Sequence, residues 1–159
     1  MDMAFRFMHD YFTLHEDEDV YMLMPGVSEI LTEFAQHGVP LGLLTGNIEA
    51  IAWKRLARAG IAHFFAFGSF GDMAYKRADL VPLAWARARD RCAITTSLDD
   101  FVIIGDTPAD VACAKAAGIQ SIAIAAGGAS PQQLAVAGAD LVVASLHERE
   151  EVFRFLQLS

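Results

Sequence analysis

Apolar and polar positions along this chain switch repeatedly between short continuous apolar runs and stretches with helical spacing, so strands and helices are expected to alternate. Val27 to Gln36 reads as a helix closed by Gly38, and Ile48 to Ala59 as a second whose end is marked by Gly60, because glycine accepts the left-handed conformation that helix exits use. Pro40 to Leu44 is an apolar run between them, and His63 to Phe67 reads as a short strand. Asp79 to Arg91 predicts a third helix, with Leu80, Leu83, Ala84 and Ala88 near helical spacing. The run Phe101 to Ile104 predicts the next strand, and the helix after it opens on Pro108, which suits a first turn, and ends at Gly118. Ile119 to Ala125 and Leu141 to Val143 add strands on either side of a Pro131 to Ala137 helix, and Glu148 to Leu156 closes the chain as a helix.

Such alternation favours parallel strands joined by right-handed helical crossovers, which gives an α/β fold of the three-layer α/β/α Rossmann-like sandwich type with a mainly parallel sheet. The 159 residues, 54% of them hydrophobic, suffice for one sizeable core, and neither a linker nor a low-complexity segment divides the chain.

Two apolar runs end in chemistry. Phe101 to Ile104 leads into Gly105-Asp106-Thr107-Pro108-Ala109, with Asp110 four residues beyond Asp106, so two acids stand at a strand's carboxyl end. Ligands bind at that edge in open α/β sheets, and oxygen-only donors suit a hard cation such as Mg²⁺. The plainer alternative has Asp110 favouring the helix dipole and Asp106 satisfying a turn. Pro40 to Leu44 likewise ends in Thr45-Gly46-Asn47, where a hydroxyl and the N–H groups of Gly46 and Asn47 at a helix start make an anion site, or where Thr45 is a plain helix cap.

Together, LGLLTGN, the basic pair Lys76-Arg77 in YKRADLVPLAWARA, and FVIIGDTPADVACAKAAG resemble, in order and spacing, the haloacid dehalogenase-like (HAD) superfamily and its phosphoglycolate-phosphatase-like branch. The resemblance runs from about Met24 to Val143. It implies phosphate binding by Thr45, with Gly46 and Asn47, and stabilisation of the transferring phosphoryl charge by a basic residue. Arg77 fits that role better than Lys76, which stays an alternative. It implies Mg²⁺ held by Asp106 and Asp110, a small phosphorylated substrate, and a hydrolase, while the composition agrees with a cytoplasmic domain.

The family's first motif, a strand ending in Asp-x-Asp with the nucleophile and the acid/base, is not found. Asp2, Asp10, Asp17 and Asp19 do not follow a four-residue apolar strand, and Asp17-Glu18-Asp19 lies in an acidic run that reads as a solvated loop. Residues 1–20 resemble the remnant of a helical cap or an N-terminal arm, and 21–159 the core domain. In the family the missing strand is central, between the strands carrying Thr45 and Asp106. Those two strands are then expected to pair directly, to take in Val20 to Met24, or to receive a strand from another chain, which makes a homo-oligomer one expectation. Two functions follow: a Mg²⁺-dependent phosphatase, or a non-catalytic derivative acting through binding or assembly.

A net charge of −8 with scattered arginines gives no support to nucleic-acid binding, and apolar stretches broken before about 18 residues predict no membrane span. The five histidines show no zinc-type spacing, and Cys92 and Cys113 read as buried structural thiols. Ala125 to Pro131 reads as a plain loop more readily than as a phosphate cradle, and Trp53 and Trp85 as core anchors.

Overall fold

A computed structural model describes residues 23–95, 97–126 and 128–158. Its elements in chain order are α1 (Val27–Gln36), β1 (Leu41–Leu44), α2 (Glu49–Arg58), β2 (Phe65–Ser69), α3 (Leu80–Cys92), β3 (Val102–Gly105), α4 (Pro108–Ala117), β4 (Gln120–Ile124), α5 (Pro131–Ala137), β5 (Leu141–Val143) and α6 (Arg149–Phe155). Every expected element forms, with ends moved by a residue or two. The largest shift is the strand expected over His63 to Phe67. Ala62–Phe64 is a 3₁₀ turn, and the strand starts at Phe65 because pairing with β1 fixes it there.

All pairings are parallel, β1 with β2, and β3 with β4 with β5. Among the described residues these are two separate sets, and no ladder joins β1 to β3, so the expected direct pairing of those strands does not occur. Of Val20 to Met24, the described residues Leu23 and Met24 lie in neither helix nor strand, and the rest falls outside the described residues. The acidic run and the 1–20 arm also lie outside them.

Alternation along β4 builds the layers, since successive side chains of a strand point to opposite faces. Ile122 and Ile124 face one core with Ile30 and Phe34 of α1, Val143 of β5, and Val152 and Phe153 of α6. Ala123 faces the other way, toward Val111 of α4 and Leu134 of α5. The smaller set packs similarly, with Phe67 of β2 buried against Ala84 and Ala88 of α3. Gly42 allows this register. A Cβ there would lie 2.1 Å from the Phe67 ring, and the ladder slips beside it, pairing Leu41 with Phe65 but Gly42 with Phe67.

The tryptophans depart from expectation, since neither is buried. Both indoles sit half-buried at the edge of a core, and only Trp53 has its N–H satisfied, the Trp85 Nε1 being buried with no hydrogen-bond partner among the described residues. Trp53 meets Phe70 edge-on at 5.9 Å and its indole N–H donates to Glu49 Oε1 at 3.3 Å. Trp85 lies under the Arg89 guanidinium at 4.9 Å. Cys113 is buried as expected, whereas Cys92 is only half-buried, and both are free thiols.

Candidate active site

The residues singled out by the motifs gather at the carboxyl ends of the parallel strands. Thr45 follows β1 and extends its ladder, its N–H donating to the Ser69 carbonyl at 3.1 Å. Its Oγ1 accepts from the Asn47 N–H and from Asn47 Nδ2, both at 3.2 Å, which folds 45–47 into a tight turn. Thr45 is therefore not the cap of α2; the residue preceding that helix is Ile48. The Asn47 backbone N–H is spent inside the turn, so the Thr45 O–H, the Gly46 N–H and the second hydrogen of Asn47 Nδ2 are the donors left for an anion. The start of α2 is covered too, since Asp72 Oδ1 accepts from the Glu49 N–H at 3.3 Å. Gly71 seals this corner: its N–H donates to the Asn47 carbonyl at 2.9 Å, and a Cβ on it would lie 2.0 Å from the Gly46 carbonyl oxygen.

Asp110 sits in the first turn of α4, 7% exposed. Its Oδ2 accepts from the Thr107 N–H at 3.1 Å and the Thr107 hydroxyl at 2.7 Å, while its own N–H donates to Thr107 Oγ1 at 3.3 Å. This is a capping box, so the plainer reading of Asp110 as a helix-start residue is realised. It is not the whole role, because Oδ1 pairs with Arg77 Nη2 at 2.5 Å. Gly105 makes room, since a Cβ there would lie 2.4 to 2.6 Å from Asp110 side-chain atoms.

Arg77 opens the 3₁₀ turn Arg77–Asp79 that leads into α3. One side of its guanidinium is held by Asp110. The other reaches the 45–47 turn, where Nη1 lies 3.8 Å from the position a Gly46 Cβ would take. Lys76 is exposed and forms no ion pair with a described residue, so the structure brings Arg77, not Lys76, to Asp110 and Gly46. Asp106 is half-buried and makes no hydrogen bond or ion pair with the described residues, which leave both its carboxylate oxygens unengaged. Cys113, one turn along α4 from Asp110, donates its thiol to the Arg77 carbonyl at 3.4 Å, and burial, outweighing the nearby Arg77 charge, pushes its pKa up.

A divalent cation was expected on Asp106 and Asp110. No cluster of three or more His, Cys, Asp or Glu is found among the described residues, and Asp110 already uses both oxygens. The unengaged carboxylate of Asp106 is a hard oxygen donor of the kind Mg²⁺ takes, one or two at a time, with waters and substrate phosphate completing its shell. The donor chemistry fits Mg²⁺, with Asp106 as the direct ligand on offer.

A sequence model of the family described as haloacid dehalogenase-like hydrolase matches residues 2–124. The chain belongs to this family. Among relatives, the plasmid phosphoglycolate phosphatase of Cupriavidus necator is 32% identical over 126 residues, covering 78% of this chain and 52% of that one. The phosphoglycolate phosphatase of Pseudomonas putida is 33% identical over 122 residues, 76% of this chain and 42% of its own. The chain thus spans about half the length of the curated relatives it matches. Solved structures share the fold. A predicted phosphatase from Clostridium acetobutylicum superposes with a TM-score of 0.75 at 22% identity, over 98% of this chain and 71% of that one. A predicted phosphoglycolate phosphatase from Haemophilus somnus gives 0.71 at 17%, over 92% and 64%. Among the described residues no helix is long and apolar enough to cross a membrane.

The sequence reading missed three participants. Thr107 was legible, since T-x-x-D before a helix is the capping-box spacing. Asp72 and Cys113 were not, because what matters about them is a contact 23 and 36 residues away in the chain.

Proposed function

We propose that this chain carries the phosphate- and metal-handling residues of a Mg²⁺-dependent cytoplasmic phosphatase acting on small phosphate esters. The observation that carries the reading is the placement of Arg77, paired to Asp110 on one side and facing Gly46 on the other. A phosphate between them would meet the Nη1 donor, the Thr45 hydroxyl and the Gly46 N–H, while Asp110 keeps the guanidinium aimed. Arginine suits this task because its planar fork serves two partners at once. Mg²⁺ on Asp106 would supply charge neutralisation at the phosphoryl oxygens. The phosphoglycolate phosphatases among its relatives make 2-phosphoglycolate the first substrate to try.

The test is Mg²⁺-dependent phosphate release from an aryl phosphate and from 2-phosphoglycolate, with Asp106→Asn prepared in parallel. Release that needs Mg²⁺ and disappears in the variant supports the reading. Equal release from both proteins refutes it.

A second reading is a non-catalytic phosphate-binding or assembly protein. It is favoured by one observation: at this edge the described residues offer a single unengaged carboxylate, and covalent phosphoryl transfer in this family needs a nucleophilic aspartate besides. Phosphate binding by calorimetry without turnover would select it.

A further inference from the structure

Arg77 is held more firmly by its surroundings than a solvent-facing arginine needs to be. Its Nε is buried with no hydrogen-bond partner among the described residues, so its pose is imposed by other contacts. Two of those come from α4: the carboxylate of Asp110 on the guanidinium, and the thiol of Cys113, three residues further along, on the Arg77 carbonyl. That carbonyl also accepts from the Leu80 N–H at the start of α3. α4 therefore grips this residue at both its main chain and its side chain. The grip matters because β1–β2 and β3–β5 share no ladder among the described residues, and Arg77 belongs to the connection out of the first set.

We propose that Cys113 is a positioning residue for Arg77: its S–H···O=C contact fixes the main chain from which the guanidinium reaches toward Gly46 and Asp110. The thiol suits the place. It is 3% exposed, packed with Val81, Ala114 and Ile119, and stays protonated, hence a donor, because burial disfavours the thiolate. The proposal rests on the phosphate-site reading for its functional consequence, but not for its structural content.

The test compares Cys113→Ala, Cys113→Ser and Arg77→Ala with the natural chain by two readouts. These are affinity for inorganic phosphate by calorimetry, and the Arg77 Nε–H resonance of ¹⁵N-labelled protein, assigned by its loss in Arg77→Ala. The expected result is phosphate binding weaker by about three- to tenfold in Cys113→Ala, the scale of one lost hydrogen bond, with Cys113→Ser restoring most of it through its hydroxyl donor. The Nε–H signal is expected to exchange faster with water in the alanine variant and to recover in the serine variant. A purely structural role for Cys113 would lower the melting temperature without this rescue. If Arg77→Ala weakens phosphate binding and Cys113→Ala leaves both readouts unchanged, the proposal is overturned. If the natural chain binds no phosphate, the site reading fails and the Nε–H signal alone decides whether Cys113 positions Arg77.

Discussion

Removing Asp110 tests the central contact of the site, because one side chain there serves both a helix start and an ion pair. Asp110→Ala deletes the carboxylate half of the capping box, a loss of about 1 kcal/mol for a helix start of this kind. It also strips Arg77 of its partner. Breaking a fully buried pair costs about 3 to 5 kcal/mol and an exposed pair is worth at most about 1. Here the Asp110 side chain is 9% exposed and that of Arg77 37%, so solvent screens one end and about 1 to 2 kcal/mol is the reasonable share. The total is about 2 to 3 kcal/mol, which in a chain of this size lowers the melting temperature by about 4 to 12 °C. The assay is a double-mutant cycle: urea unfolding of the natural chain, Asp110→Ala, Arg77→Ala and the double variant. A coupling of about 1 to 2 kcal/mol is expected between the two sites, with Asp110→Asn losing less than Asp110→Ala because its amide oxygen still accepts from Thr107. A coupling within about 0.3 kcal/mol of zero would mean that the two residues are energetically independent, and the account of Arg77 as held by Asp110 would be wrong.

Gly71→Ala is expected to cost upwards of about 2 kcal/mol and to disturb the 45–47 turn, because its Cβ meets the Gly46 carbonyl at 2.0 Å; thermal melts with Gly46→Ala as the tolerated control check it, since there the nearest contact is 3.8 Å. Ser69→Ala is expected to stabilise by up to about 1 kcal/mol, because Ser69 Oγ is buried with no hydrogen-bond partner; a loss in urea unfolding would show that the hydroxyl is satisfied after all. Native alkylation followed by peptide mass analysis is expected to label half-buried Cys92 well before Cys113. The raised Cys113 pKa also sets a sign: above the ordinary value of 9.0 the unfolded chain releases the proton first, so this group's contribution, complete below pH 9.0, fades as pH climbs through its folded value. Urea midpoints measured from pH 8 to 10.5 should fall less in Cys113→Ala than in the natural chain, and parallel slopes would refute the assignment.

The order of elements was legible because each has a local cause. Gly38, Gly60 and Gly118 take positive φ at helix exits, Pro108 opens α4, and the apolar runs before Thr45 and Asp106 are strands. The start of β2 was not legible, since nothing local distinguishes His63 from Phe65; its register comes from pairing with β1 and from the Phe67 ring lying over Gly42. Trp53 and Trp85 misled for a related reason. Their hydrophobicity is visible in the sequence, but whether Glu49 or Arg89 stands ready to hold an indole at the edge of a core is not.

For the site, spacing told which residues matter but not how their atoms are shared. Asp106 and Asp110 look equivalent in Gly105-Asp106-Thr107-Pro108-Ala109-Asp110, yet among the described residues one has both oxygens unengaged and the other has neither. That asymmetry arises from α4 itself. A residue at the third helical position is turned back toward the N-cap, so Thr107 takes one oxygen of Asp110 and leaves the second facing out of the helix. The connection after β2 then presents Arg77 to that second oxygen. Asp106, before the helix begins, has no orphan N–H of its own to serve. The difference between an acid with unengaged oxygens and an arginine-holding acid thus follows from where the two fall relative to one helix start. It predicts that exchanging the acids one at a time separates the functions: Asp106→Asn should abolish Mg²⁺ binding while leaving phosphate affinity nearly intact, and Asp110→Asn should weaken phosphate affinity while leaving Mg²⁺ binding. Calorimetric titration of both ligands into both variants reads this directly, and equal losses of both ligands in both variants would show that the two acids act as one unit.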